Sequence, residues 1–183
     1  MKTALIIAAL LMALVLLVYT YFGGFRKIRF RREKQGGETG VYRHAVGDYR
    51  KSGEVMDDVY HHLLDDEKIP TVKGFGVYYD NPKKVEKSRL RSDLGCIVEG
   101  LDADQIKALS GKYDITTLPQ GDYIVAEFPY KGRMSVVMGI VKVYPALEKY
   151  CRAAGIPDES PVTEIYDVPG KKIVYRKPIK DSK

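Results

Sequence analysis

Two stretches decide the fold: GVYRHAVGDY at residues 40–49 and DYIVAEFPYKG at residues 122–132. Each is an apolar run of strand character closed by a turn that contains glycine. Each is followed by a helical pattern. After the first, Val55, Met56, Val59, Leu63 and Leu64 recur at helical spacing over residues 52–65, with Ser52 placed to cap the helix. After the second, Val137, Ile140, Val141, Tyr144, Leu147 and Cys151 form one stripe over residues 134–154, which Pro145 is expected to kink or split. Two further strand patterns follow each helix, at 74–79 and 94–99 in the first copy and at 162–168 and 172–179 in the second. The strings GVYYDNP (76–82) and TEIYDVP (163–169) occupy matching places.

The chain therefore carries a β-α-β-β unit twice, with a short helix expected over 102–110 between the copies. This predicts an α+β fold, a mostly antiparallel sheet with two main helices on one face. The other face, left without a helix, is where this arrangement places a groove.

Outward from the repeat, the N-terminus changes character. Residues 3–22 hold no charge, proline or glycine, and Tyr19, Tyr21 and Phe22 stand at the end of the run. Twenty helical residues span about 30 Å, the hydrocarbon thickness of a bilayer. Aromatic rings favour the headgroup level. Residues 18–24 read VYTYFGG, with bulky rings where a signal peptidase needs small side chains, so the run is expected to remain as a membrane anchor. The division expected is an anchor at 1–25, a basic juxtamembrane linker at 26–39 and one domain at 40–180.

The formal charge of +6 is concentrated near that anchor. Arg26, Lys27, Arg29, Arg31, Arg32 and Lys34 face only Glu33, whereas residues 36–183 hold 23 basic and 23 acidic side chains. The domain thus lacks the basic excess of a nucleic-acid binder. The charged flank instead suits a stop-transfer boundary, with the domain on the cytoplasmic side. Cys96 and Cys151 form no C-x-x-C, and His44, His61 and His62 are not spaced with them as zinc ligands. Nucleophile elbow and phosphate loop are both missing, and no cofactor is expected.

In order along the chain, VYRHAVGDY, VYYDNP, LRSDLG, AEFPYKG, VYPALEKY and TEIYDVP resemble the GyrI-like (gyrase-inhibitor-like) effector-binding domains, over about residues 40–179. The pairing with an N-terminal anchor is also similar to the testis-expressed ER-phagy receptors of animals. Those receptors carry a motif for autophagy modifiers on a long acidic tail, and this sequence ends at Lys183. Residues 57–63, DDVYHHL, have the residue types of such a motif but fall on the first helix, where Leu63 is expected to face the core.

The GyrI-like resemblance implies a module that binds lipophilic, often cationic, small molecules between its half-repeats, in a multidrug-binding or sequestering role. It implies a pocket glutamate on the first strand after the second long helix, which is Glu164 here. Strand alternation puts Glu164 and Tyr166 on one face, and Tyr78 shares a face with Gly74 and Gly76. A carboxylate among tyrosine rings suits an organic cation. The candidate ligand-binding residues are accordingly Glu164, Tyr166 and Tyr78. The competing reading of Glu164 is an ion pair with a Lys or Arg across the sheet. Glu127 is a second carboxylate, expected on a solvated face. Asp80-Asn81-Pro82 and Asp167-Val168-Pro169 read as turns. The resemblances leave two other functions open: an anchored receptor for a protein partner, and, as in some GyrI-like family members, a hydrolase of strained electrophilic rings with Glu164 as base.

Overall fold

The computed structural model describes residues 1–157 and 160–179, so the expected domain end at residue 180 lies outside the described residues. The N-terminal run is one helix, α1 (Lys2–Tyr21), of mean hydropathy 2.6, with none of its residues buried. By length and composition it is able to cross a membrane.

Strand β1 (Phe30–Gln35) follows, then β2 (Thr39–Val46), α2 (Ser52–His61), β3 (Lys73–Tyr78) and β4 (Arg91–Val98). The second half comprises α3 (Ala103–Ser110), β5 (Asp114–Thr117), β6 (Gly121–Pro129), α4 (Arg133–Ala153), β7 (Val162–Asp167) and β8 (Lys172–Pro178). The eight strands form one antiparallel sheet in the order β1-β6-β8-β7-β3-β4-β2-β5. The two repeats meet at its centre, where β3 pairs β7 with Gly76 opposite Glu164. The fold class is the α+β arrangement expected from the repeat.

Local chemistry sets the element ends. Asp102 caps α3 through a capping box, accepting from the Gln105 amide at 2.8 Å while Gln105 accepts from the Asp102 amide at 3.0 Å. The long helix α4 runs unbroken through Pro145, so the proline does not split it. The helix expected over 52–65 closes as α-helix at His61 and ends in a wider π-type turn over His62–Asp66.

Two strands have no counterpart in the expected pattern. β1 takes up part of the stretch expected as a linker, with Arg31 opposite Val125 and Glu33 opposite Tyr123. β5 extends the other edge beside β2. Neither run is apolar, which is why periodicity alone passes over them.

These additions change the shape of the sheet. Residues 36–38 join β1 to β2, and residues 118–120 join β5 to β6, although the joined strands stand toward opposite ends of the row. The two connectors are tied together by Gly37 N–H to the Leu118 carbonyl at 2.7 Å and Leu118 N–H to the Glu38 carbonyl at 2.9 Å. Gly36 and Gly37 take φ of +102° and +95°, and a Cβ on Gly36 would stand 1.9 Å from the Pro119 carbonyl oxygen. The sheet therefore curls until its ends meet. Its helix-free face becomes a lumen filled by Phe75, Ile97, Leu118, Tyr123, Val125, Ile165 and Val174. Among the described residues, that face is packed by these side chains rather than left open as the expected groove, because the sheet covers it with itself.

Helices pack on the outer face. α2 buries Val59 and, through the turn after it, Leu63 against Val41, Cys96 and Val98. α4 lies over Ala126, Phe128, Ile173 and Tyr175 with Val143 at the contact. Val59 and Leu63 are both fully buried, so the apolar positions of the motif-like run at residues 57–63 belong to the core, Leu63 as expected.

A tyrosine-caged carboxylate beside the second helix

Helix α4 does not cover its half of the sheet completely. A cavity of about 640 Å³ opens between one flank of α4, the ends of β7 and β8, and the loops after β2 and β3 of the first repeat. Ile140, Val141, Tyr144, Pro145 and Leu147 supply the helix wall. Tyr49, Tyr78 and the Asp80-Asn81-Pro82 turn supply the opposite wall, and Val162, Glu164 and Lys177 line the floor. The site thus lies between the repeats, on the helix-bearing face.

At its floor sits Glu164, 2% exposed. The Tyr144 hydroxyl donates to Oε1 at 2.6 Å, and the Tyr166 hydroxyl donates to Oε2 at 2.5 Å. The Tyr78 hydroxyl is in hydrogen-bond contact with that of Tyr166. Across the sheet, Tyr175 stands directly opposite Glu164, and its ring meets that of Tyr144 edge to face at 6.0 Å. Among the described residues no Lys, Arg or His pairs with Glu164, so the cross-sheet ion pair considered from the sequence is not formed. Lys177, on the same floor, donates to the Ser160 carbonyl at 2.9 Å.

Burial pushes the Glu164 carboxyl above its ordinary pKa, and the two phenol hydrogen bonds counter part of that rise. Burial, and then the Glu164 charge, raise Tyr144 and Tyr166 well above theirs. The phenols therefore stay protonated and serve as hydrogen-bond donors.

Of the three residues singled out from sequence, Glu164 and Tyr78 line the cavity. Tyr166 stands behind the carboxylate and holds it. The glycines of β3 are not left open for a ligand: Tyr78 folds its own ring over Gly76, where a Cβ would meet the ring at 2.9 Å. Tyr49 then packs edge to face on Tyr78 at 4.9 Å. The Tyr49 hydroxyl donates to the Arg91 carbonyl at 2.8 Å and accepts from the Asp80 amide at 3.1 Å, fixing the turn at the cavity rim. Asp80 itself is occupied by the Arg91 side chain and amide, and Asn81 accepts from the Lys83 amide at 2.9 Å. Both serve the turn, as does Asp167 toward the Gly170 amide at 2.9 Å. Glu127 pairs with Lys172 at 2.8 Å and Arg31 at 3.3 Å at the partly exposed edge.

Sequence reasoning missed Tyr144 and Tyr175. Of the expected stripe, Leu147 and Cys151 are buried, but its N-terminal part is rotated: α4 buries Ser135, Gly139 and Val143 in place of Val137, Ile140, Val141 and Tyr144. Gly139 is the reason the helix sits so low, since a Cβ there would stand 2.3 Å from the Tyr175 hydroxyl. The small residues Ser135 and Gly139, four apart, were the available signal for that close face.

No protein-family model matches the chain. It is 25% identical to human testis-expressed protein 264 over 151 residues, covering 76% of this chain and 46% of that protein. It is 28% identical to the mouse homolog over 120 residues, covering 62% of this chain and 37% of the homolog. The chain therefore matches less than half the length of these relatives. Among solved structures it is similar to SAV2435 bound to tetraphenylphosphonium, with 14% identity, a TM-score of 0.53, and 84% of this chain and 94% of that chain covered. The C-terminal domain of EcmrR gives 10% identity and a TM-score of 0.57, covering 85% and 99%. An integron cassette protein of Vibrio cholerae gives 10% identity and 0.54, covering 85% and 100%. These likenesses agree on the fold, the GyrI-like arrangement that the sequence resembles.

Proposed function

We propose that this protein binds lipophilic cationic organic molecules in the cavity beside α4, with Glu164 recognising the charge and tyrosine rings enclosing the apolar body. The observation that carries this reading is the carboxylate itself. A buried charge is costly unless it is paired, and paired carboxylates normally find a cation. Glu164 has two phenols and a cavity instead. A cationic ligand supplies the missing counter-charge, and ring faces add roughly 0.5–2 kcal/mol each by cation–π attraction. Tetraphenylphosphonium, the ligand of the structurally similar SAV2435, has this chemistry: a delocalised cation wrapped in aromatic surface.

The same proposal places the domain at a membrane surface, held by α1, and on the side of the basic flank by the positive-inside rule. Protease treatment of right-side-out vesicles is expected to leave the domain intact. The binding test is calorimetric titration of the full chain in detergent micelles with tetraphenylphosphonium and with the neutral triphenylphosphine oxide. The cation is expected to bind roughly 10- to 100-fold more tightly, the range of one charge-assisted contact. Equal affinities would remove Glu164 from the site.

A further inference from the structure

The outer surface of α4 is apolar where a solvated helix would be polar. Met134, Val137 and Val141 are 52%, 54% and 63% exposed, and their spacing of three and four residues puts them on one crest. On one flank of that crest, Lys142 donates its ammonium to the Gly24 carbonyl, just past the end of α1. On the other flank, Ile140 and Tyr144 face the cavity. The crest therefore lies between the exit of the apolar helix and the mouth of the site.

Three further contacts gather at that exit, two of them to β6 and the turn that leads into α4. Lys131 donates to the Tyr21 carbonyl at 3.0 Å and stands 4.1 Å over the Tyr21 ring. Gly23, at φ +85°, packs on the Phe128 ring. Phe25, 66% exposed, adds an aromatic ring packed at 4.9 Å on Tyr19. Around the patch the exposed charges at this end are mostly cationic: Arg26, Lys27, Lys131 and Arg133, the last paired with Asp57 at 3.7 Å. Glu148 lies at the far end of the helix, paired with Lys83 and Arg152. Apolar crest, flanking bases and an interfacial tyrosine are the composition of a surface that rests on anionic lipid.

We propose that the crest of α4 lies in the headgroup layer of the membrane, so that the cavity takes its ligand from the lipid surface. This rests on α1 as the membrane anchor and deepens the binding role proposed above. Lipophilic cations concentrate in the interface, and a mouth facing that layer meets them at a far higher concentration than the aqueous phase offers. The occupant is lipid because the apolar crest is continuous with the helix that would cross the bilayer. A protein partner would have no such tether.

The test uses the full chain in nanodiscs of phosphatidylcholine and phosphatidylglycerol that carry nitroxides both near the headgroup and deep in the acyl chains. Single cysteines are introduced by Leu10→Cys in the anchor, Val137→Cys on the crest and Gln105→Cys on the remote helix α3, each labelled with an environment-sensitive fluorophore. The native thiols are both buried, and burial pushes Cys96 up to about 12, so labelling goes to the added site. The expected result is quenching at residue 137 at least about half that at residue 10, with none at residue 105. Quenching at 10 without quenching at 137 would overturn the docking of α4 and leave both anchor and ligand site intact. No quenching at 10 would overturn the anchor and the docking together. A second arm adds Met134→Glu with Val137→Glu, solvent-exposed changes outside the cavity lining and compatible with folding, and follows a rhodamine cation. Slower capture from vesicles at unchanged affinity in micelles is expected, and unchanged capture would overturn the route from lipid.

Discussion

The two halves of the molecule use the same β-α-β-β unit to opposite ends. Under α2, the outer sheet face presents Val41, Cys96 and Val98, and Val59 and Leu63 fill against them with no exposure above 4%. Under α4, β7 and β8 present Glu164, Tyr166 and Tyr175, whose polar tips cannot be sealed by aliphatic side chains. Aliphatic faces close because every contact is interchangeable and dispersion rewards density. A face of phenols around a carboxylate has directional needs, so the helix above it stands aside on one flank and leaves a cavity. One repeat thus serves as the rigid half and the other as the receiving half.

Breaking the closed half has the largest expected effect. Leu63→Ala removes a fully buried side chain and is expected to cost about 2–5 kcal/mol by urea denaturation. An effect near zero would mean that the first repeat is not the stable half. In the open half, Glu164→Gln is expected to leave the fold intact and to lose about 1.5–3 kcal/mol of binding for tetraphenylphosphonium, roughly 10- to 100-fold, while triphenylphosphine oxide is unaffected. Tyr144→Phe deletes the donor to Oε1 and is expected to cost about 1 kcal/mol of stability. It also raises the carboxyl further, so the acid midpoint of cation binding should move to higher pH.

A pH series sharpens the contrast further. Because burial raises the folded-state pKa of Glu164, its contribution to stability is fully present below the unfolded value and is lost as pH rises through the folded one. Parent and Glu164→Gln should therefore match in acid, with the variant the more stable at neutral pH. Cation affinity should run the other way, increasing over the same window as the carboxylate forms. A parent whose stability rises through that window would mean that Glu164 has a cationic partner. The smallest effect belongs to Val141→Ala, exposed on the crest, expected to stay within about 0.5 kcal/mol in detergent solution.

Several parts of this molecule are legible in the amino-acid sequence because they depend on neighbours along the chain. Twenty uncharged residues specify an apolar helix of membrane-spanning length by length alone. The Asp102 and Gln105 pair marks the start of α3, and the strand and helix patterns place six of the eight strands and all four helices within a few residues. Alternation along β7 also puts Glu164 and Tyr166 on a common face, as the register with Tyr175 and Ile173 shows.

Only the tertiary structure decided which face is used. β1 and β5 are polar strands that exist because a neighbouring strand offers unpaired backbone groups, a partner no local pattern reveals. With those two strands in place and the Gly36-Gly37 connector folded on Pro119, the sheet closes over the face that the repeat leaves without helices. That closure moves the cavity to the outer side. The rotation of α4 is likewise set from outside the helix, by how closely Gly139 approaches Tyr175, and it turns Tyr144 from an expected core residue into a ligand of the carboxylate. Sequence spacing specifies which residues share a face, because backbone geometry repeats every two or 3.6 residues. Which face meets which depends on contacts between residues far apart in the chain, and those exist only once the sheet has closed.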